Sequence, residues 1–519
     1  MIRRNYQRWP HNQKRWPRRL LVALTIILPL GVAAAGVVFV LGQQRARRVE
    51  VNGNTIKVAA GGDLQAALDR AQPGDTIYLA AGATFSGPYS LPNKSGSEFI
   101  TIRSDAADAN LPVVNERIDP RKFGPRLPKL ISNTYEKPAV RAVNGAHHYR
   151  FIAVEFGPTP QGVGNVIELG TSQENRVEDL PHHLEFDRCY IHGSPTDGQR
   201  RGIAANGKYV RVINSYFADF KRKGDESQAI AAWGSDGPFD IINNYIEAGA
   251  EGILFGGAIP KLPLIPSDIT VRGNTFNKPL EWRGVWLVKN HFELKSARRV
   301  KIENNLMTNN WADSQNGTAV LFTVRVDSGP WATIEDVEFT GNIVRGSGAG
   351  VNVYGGEGMG GRRLAIRNNV FSDINSAKWG GRGQFMTATE WDVLTVENNT
   401  IFQDGNITSA YGKPITKFVF RNNIVPWNEI GMTGDSHAGG QDTIDTYFPG
   451  GMVVNNAFIG GDASRIKARN AYPASPGQIR FVDLNGGDLR LRPDSPMRRA
   501  GASGADIGAN LDPATVGKS

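Results

Sequence analysis

The sequence predicts an all-β fold, a parallel β-helix of stacked coils, on three observations. From about residue 184 a phrase recurs in which alternating apolar residues meet a polar pair and then another apolar stretch, as in Ile241-Ile-Asn-Asn-Tyr-Ile246, Ile302-Glu-Asn-Asn-Leu-Met307 and Val396-Glu-Asn-Asn-Thr-Ile401. The second polar position falls on Asn244, Asn274, Asn305, Asn342, Asn369, Asn399, Asn423 and Asn456, at intervals of 30, 31, 37, 27, 30, 24 and 33 residues. Each interval has room for two to four strands with their turns. Between these positions apolar residues run at a period of two, with abundant Gly and Asn and no helical periodicity, which points to a β-solenoid rather than a helical array.

A residue repeated once per coil stacks into a column. Asparagine suits one, because its amide both donates and accepts and stacked copies can satisfy one another. Gly or Asn in the polar pair also tolerates the left-handed backbone that such a bend requires. The eight asparagines are therefore expected to form a structural ladder.

The chain opens on a basic tail. Residues 1–48 hold ten Lys/Arg and no Asp or Glu, so of 59 basic and 50 acidic residues overall, 49 and 50 belong to the remainder. That near-neutral body lacks the basic stripe a nucleic-acid binder needs, and no nucleic-acid partner is expected. Residues 1–19 read as a cytoplasmic tail and 20–42 as a transmembrane anchor or uncleaved signal. These 23 uncharged residues, at about 1.5 Å each, cover the roughly 30 Å hydrocarbon layer. Basic residues before them keep the N-terminus cytoplasmic and send the body, a single-pass membrane protein, to the periplasm or cell exterior. Ala33, Ala34 and Ala35 leave a cleaved signal peptide as the alternative.

Residues 43–54 read as a linker, 55–511 as the β-helix with both ends capped, and 512–519 as a tail; a monomer is expected. The opening cap is a helix with Asp63 as N-cap and Leu64, Ala67, Leu68 and Ala71 on one face, stopped by Pro73-Gly74. The closing segment runs from Arg480 through Asp488-Leu-Arg-Leu-Arg492 into a Gly- and Ala-rich end. The one cysteine, Cys189, excludes an internal disulfide and lies in an apolar-alternating run, where a buried, inert thiol is expected.

The Asn-bearing repeats, Gly62-Asp-Leu-Gln-Ala-Ala-Leu68 followed by Pro73-Gly-Asp-Thr-Ile77, and Ser495-Pro-Met with Asp506-Ile-Gly-Ala509 resemble the pectate-lyase-like superfamily of right-handed parallel β-helix proteins. Asp225-Glu-Ser-Gln-Ala-Ile230, Phe292-Glu-Leu-Lys295 and Asn310-Trp-Ala-Asp313 are similar to stretches of uncharacterised bacterial members. The resemblance, over roughly residues 55–511, implies a right-handed coil and a polysaccharide substrate or ligand. It leaves lyase, hydrolase, epimerase and non-catalytic binder open.

The segment richest in chemistry is Val285-Trp-Leu-Val-Lys-Asn-His-Phe-Glu-Leu-Lys295. Strand alternation turns Phe292 and Leu294 inward and His291, Glu293 and Lys295 outward. Aligning Phe292 with Phe322 one coil later sets Arg325 beside Lys295, and that like charge should push the lysine toward base strength. A uronate β-elimination needs a neutralised C6 carboxylate, a base for the C5 proton and an acid for the leaving oxygen. His291, Glu293, Lys295 and Arg325 are the catalytic candidates for these roles.

Glu251, Asp225, Glu226, Trp233, Trp311 and Asp313 are the candidates for substrate binding, with Trp282, Trp286 and Trp331 recurring along the same coils. Ca2+, held by Glu251, Glu293 or Asp313, is the one cofactor these residues admit, although no dedicated calcium loop is present. Paired carboxylates among Asp225, Glu226, Glu251 and Asp313 keep a glycoside hydrolase open, and a non-catalytic glycan- or protein-binding β-helix is the other alternative. The pairs His147-His148 and His182-His183 are adjacent in sequence, so on strands they face opposite ways, and without a special bend they form no metal site.

Overall fold

The computed structural model describes residues 49–517. Among them the chain winds as a parallel β-helix of three sheets with 15, 13 and 12 strands. One coil gives one strand to each sheet in turn, as in Lys208–Ile213, Tyr216–Phe220 and Gln228–Ala232, after which Phe239–Ile242 pairs in parallel on Lys208–Ile213. Antiparallel pairing closes the two ends, with Val49–Asn52 on Thr55–Val58 and Phe481–Asp483 on Asp488–Leu491.

The core is built of columns. In the first sheet Tyr149, Leu184, Val210, Phe239, Ile269, Val300, Val337, Leu364 and Leu394 stack inward in register, all buried. Each such side chain contributes about 1.5–3 kcal/mol over leaving it in water. The polar pair makes the bend into the second sheet. Its first residue is left-handed, with Asn243, Asn304 and Asn368 at φ 56°, 55° and 51°, and glycine fills the position at Gly273 and Gly341.

Its second residue is the expected ladder. Asn305 Oδ1 accepts from Asn274 N (2.9 Å) and Asn274 Nδ2 (3.0 Å), and Asn342 Oδ1 does the same for Asn305. The pattern runs from Asn244 to Asn456 and continues to Asn470. Cys189 stands in the same column two coils before Asn244, fully buried, and burial pushes its thiol far above the ordinary range.

The opening cap is the helix Leu64–Arg70, with Asp63 accepting from Ala66 N at 3.0 Å. Two boundaries move. Residues 49–52, read from sequence as linker, form the first strand because Thr55–Val58 offers them an edge. Residues 512–517, read as a free tail, pack down: Val516 is buried, and Arg117 Nη2 donates to Gly517 O at 2.7 Å.

The C-terminal segment thereby covers the outer face of the second sheet. Ile479, Met497, Ile507 and Ala509 cluster on the outward Ile343, Val370 and Ile424. The expected tail and transmembrane anchor lie outside the described residues. Among those described, no helix is long and apolar enough to cross a membrane.

Candidate functional site on the outer face of the third sheet

The strands of the third sheet do not alternate simply. Val166 and Ile167, Ala229 and Ile230, and Ala319 and Val320 all join the core, so two consecutive residues point inward on each coil. This corrects the reading of His291. It occupies the first of the two inward positions, beside Phe292, fully buried with its ring 6.2 Å from that of Phe276. Burial, with Lys278 nearby, holds its pKa well below the ordinary histidine value. It cannot meet a substrate.

The residue before the inward pair turns outward and forms a column of Asn165, Arg201, Gln228, Glu251 and Asn290 on successive coils. Arg201 donates to Asn165 Oδ1 and to Gln228 Oε1, both at 3.0 Å. Gln228 Nε2 donates to Glu251 Oε2 at 2.8 Å. Lys289 Nζ then lies 2.6 Å from Glu251 Oε1 and 2.6 Å from Glu226 Oε1, so those two carboxylate oxygens are at most 5.2 Å apart.

The three charges have unequal environments. Burial lifts the Glu251 carboxyl to about 7 against the pull of Lys289, with Glu293 and Glu226 adding to the rise. Burial also works to raise Glu226, but Lys289 outweighs it and holds this carboxyl below the usual range. Lys289 would be lowered by burial, yet Glu251 and Glu226 keep it above an ordinary lysine. Beneath them Lys278 Nζ donates to the carbonyls of Ala248 and Gly249 (2.7 Å each) and Asn290 (3.0 Å), and burial lowers it to about 7.

The other predicted residues fare differently. Lys295 and Arg325 are neighbours through the backbone, with Arg325 N donating to Lys295 O at 3.1 Å. Their side chains take separate partners, Lys295 bonding Asp327 at 2.9 Å and Arg325 bonding Glu357 at 2.8 Å. The ladder pairs Phe292 with Val320, not Phe322, a shift of two residues from the predicted register. Lys295 is not pushed toward base strength: burial alone would lower it, but Glu293 and Asp327 outweigh burial and raise it.

Glu293 faces outward as expected yet is buried, accepting from Asn290 Nδ2 at 3.0 Å. Glu251 is fully enclosed beneath Lys289 and cannot itself touch a ligand. Trp311 packs with Trp282, Val288 and Trp379 in a satellite core and offers no face to a sugar, whereas Trp233 is half-buried with the Arg201 guanidinium 4.9 Å from its ring.

Asp225 is exposed, 3.8 Å from Arg200, and the exposed Asp313 accepts from Val288 N at 3.0 Å. Among the described residues, Glu251, Glu293 and Asp313 do not gather as a set of three ligands for Ca2+, and the Lys289 ammonium takes the place between Glu226 and Glu251 that a cation would fill.

Sequence reasoning passed over Lys289, Gln228 and Arg201. A lysine ending the run Val285-Trp-Leu-Val288, just before a buried strand, was the available signal. A separate cavity of about 510 Å3 lies on the outer face of the first sheet. Its Asp268–Arg299 and Asp336–Arg363 pairs are about half exposed and satisfy one another. We read it as a solvated charge ladder.

No protein-family model and no curated protein matches the chain. Solved structures to which it is similar include an alginate lyase from Paenibacillus sp. str. FPU-7, at 15% identity over 74% of this chain and 95% of that one, TM-score 0.33. A mannuronic acid specific polysaccharide family 6 lyase from human gut microbiota gives 12% identity over 80% and 91%, TM-score 0.41. The A-module of the Azotobacter vinelandii mannuronan C-5 epimerase AlgE4 gives 13% over 71% and 90%, TM-score 0.29.

Proposed function

We propose that this right-handed β-helix, anchored in the membrane with its body outside the cytoplasm, binds uronate-containing polysaccharide on the outer face of its third sheet and cleaves it by β-elimination. One observation carries the reading. The side chains of Lys289 and Lys295 are only 10% and 16% exposed, while their partners Glu226 and Asp327 are 48% and 49% exposed. Both ammonium groups are already stripped of most of their water, and the carboxylates that cover them stand at the rim. A uronate carboxylate arriving from solvent can exchange with Glu226 or Asp327 without a new desolvation cost to the lysines.

The same exchange arms a base. When Lys289 turns to the C6 carboxylate of the sugar, Glu226 loses the charge that holds its pKa down and becomes a better proton acceptor. The C5 proton passes to Glu226, the C5–H electrons form the C4–C5 double bond, the C4–O bond breaks, and the leaving oxygen takes a proton from water or from Lys295. Arg201, Gln228 and the buried Glu251 hold Lys289 in place as positioning residues.

A second reading, a non-catalytic glycan-binding β-helix, is favoured by the pairing of Lys289, Lys295 and Arg325 with carboxylates of the protein itself. Full-length protein incubated with uronate polymers, followed by ultraviolet absorbance of the unsaturated product, separates the two. Elimination predicts a rise that Glu226→Gln abolishes while binding persists. Binding without absorbance moves the assignment to the binding module. New reducing ends without absorbance replace elimination with hydrolysis, and neither binding nor product overturns the proposal.

A further inference from the structure

The four histidines of the two adjacent pairs stand together on the outer face of the first sheet, contrary to strand alternation. His148 and His183 adopt left-handed backbone, φ 57° and 53°, and this bend turns the second ring of each pair to the side of the first. His147 Nδ1 lies 2.7 Å from His148 Nδ1, and His182 Nδ1 lies 2.7 Å from His183 Nδ1. The strands His147–Ile152 and His182–Asp187 are paired neighbours, with His147 opposite His182, and the rings of these two stack at 4.6 Å. One ligand nitrogen each from His147, His148 and His182 falls within 4.8 Å of the others, the one such grouping among the described residues.

We propose that His147, His148 and His182, with His183 beside them, bind one divalent transition-metal ion of the zinc class. The ligand set is imidazole alone, which suits Zn2+, Ni2+ or Cu2+ and not Ca2+ or Mg2+. At metal–nitrogen distances of about 2.0–2.1 Å, tetrahedral ligand nitrogens stand roughly 3.3 Å apart, so each pair opens by about 0.6 Å through ring rotation. The rings are otherwise held. Phe99 packs edge-on to His148 at 5.3 Å and Tyr209 stacks on His183 at 4.3 Å.

In each Nδ1···Nδ1 contact one ring carries the hydrogen and the other accepts it, so a bound ion takes the place of that hydrogen and the donor ring shifts its proton to Nε2. A cavity of about 190 Å3 lined by Phe99, His183 and Tyr209 adjoins them. The bound ion would staple two successive coils and raise the thermal midpoint, by an amount that grows with the logarithm of its concentration relative to its dissociation constant.

The test uses full-length protein without a histidine tag, stripped by chelator and titrated with Zn2+ by calorimetry and with Co2+ by visible absorption. One equivalent of Zn2+ and a tetrahedral Co2+ band are expected, both lost in His147→Ala/His182→Ala and both kept in His437→Ala. Absence of heat and band in the unmodified protein, which needs no variant to fold, overturns the proposal and leaves N–H···N hydrogen bonds as the whole role of the cluster. Binding that survives the double variant overturns it equally.

Discussion

Two polar arrays cross the strands of this molecule, and they are built on opposite plans. The asparagine ladder sets one residue at the same place on coil after coil, each Oδ1 taking two N–H groups from the coil before. The column on the third sheet places Asn165, Arg201, Gln228, Glu251 and Asn290, nearly all different, on five successive coils. Identical coils need identical bends, so the first array repeats. The second buries charge, which stability alone does not favour over apolar packing. Its variety marks positions specialised for something other than holding the coils together.

The sharpest break in the comparison is Lys289→Ala, which leaves Glu251 buried and uncompensated. Denaturant unfolding should show a loss of about 3–5 kcal/mol at pH 8, and less at pH 5, where a protonated Glu251 needs no partner. Asn305→Ala removes the acceptor of Asn274 N and Nδ2 and the donor to Val271 O. A loss of about 2–4 kcal/mol is expected, with no dependence on pH across this range. An effect as small as at an exposed site would mean that the ladder is dispensable.

The folded pKa of Glu251, about 7, lies above the ordinary carboxylate value of 4.5. The folded state therefore holds the proton more tightly, and this group's contribution is fully present below pH 4.5 and lost as pH rises through 7. Glu251→Gln should flatten the stability profile between those limits, a difference on the order of 1–3 kcal/mol. An unchanged slope would show that Glu251 is ionised throughout. The smallest effect belongs to the first sheet, where Arg299→Ala breaks a half-exposed fork to Asp268 and should cost about 0.2–1 kcal/mol, shrinking with added salt.

What could be read from sequence follows the same division. The ladder was legible because Asn244 to Asn456 repeat one chemistry at one place, and the cap was legible because Asp63 and the Leu64, Ala67, Leu68 face follow local helix rules. Glu251 stands among the substrate-binding candidates, but its enclosure beneath Lys289 was not legible, because that lysine comes from the next coil. Nor was the facing of His291, since the two-inward bend depends on how three sheets meet and leaves no mark in a period-two pattern. The partner of Lys295 was not legible either: Arg325 adjoins it through the backbone, but the two side chains turn to carboxylates of their own, Asp327 and Glu357, which no period-two pattern marks. Lys289 went unnoticed because its two carboxylates come from other coils, 38 and 63 residues away in sequence.

Calorimetric binding of full-length protein to a uronate polymer and to the same polymer with its carboxyl groups reduced to alcohols tests the central claim most directly. The account predicts binding to the acidic polymer alone, weakened about tenfold or more by Lys295→Met, equivalent to at least ~1.4 kcal/mol. Equal affinity for both polymers, or an affinity indifferent to Lys295, would contradict a site that works by exchanging its own rim carboxylates for those of the substrate.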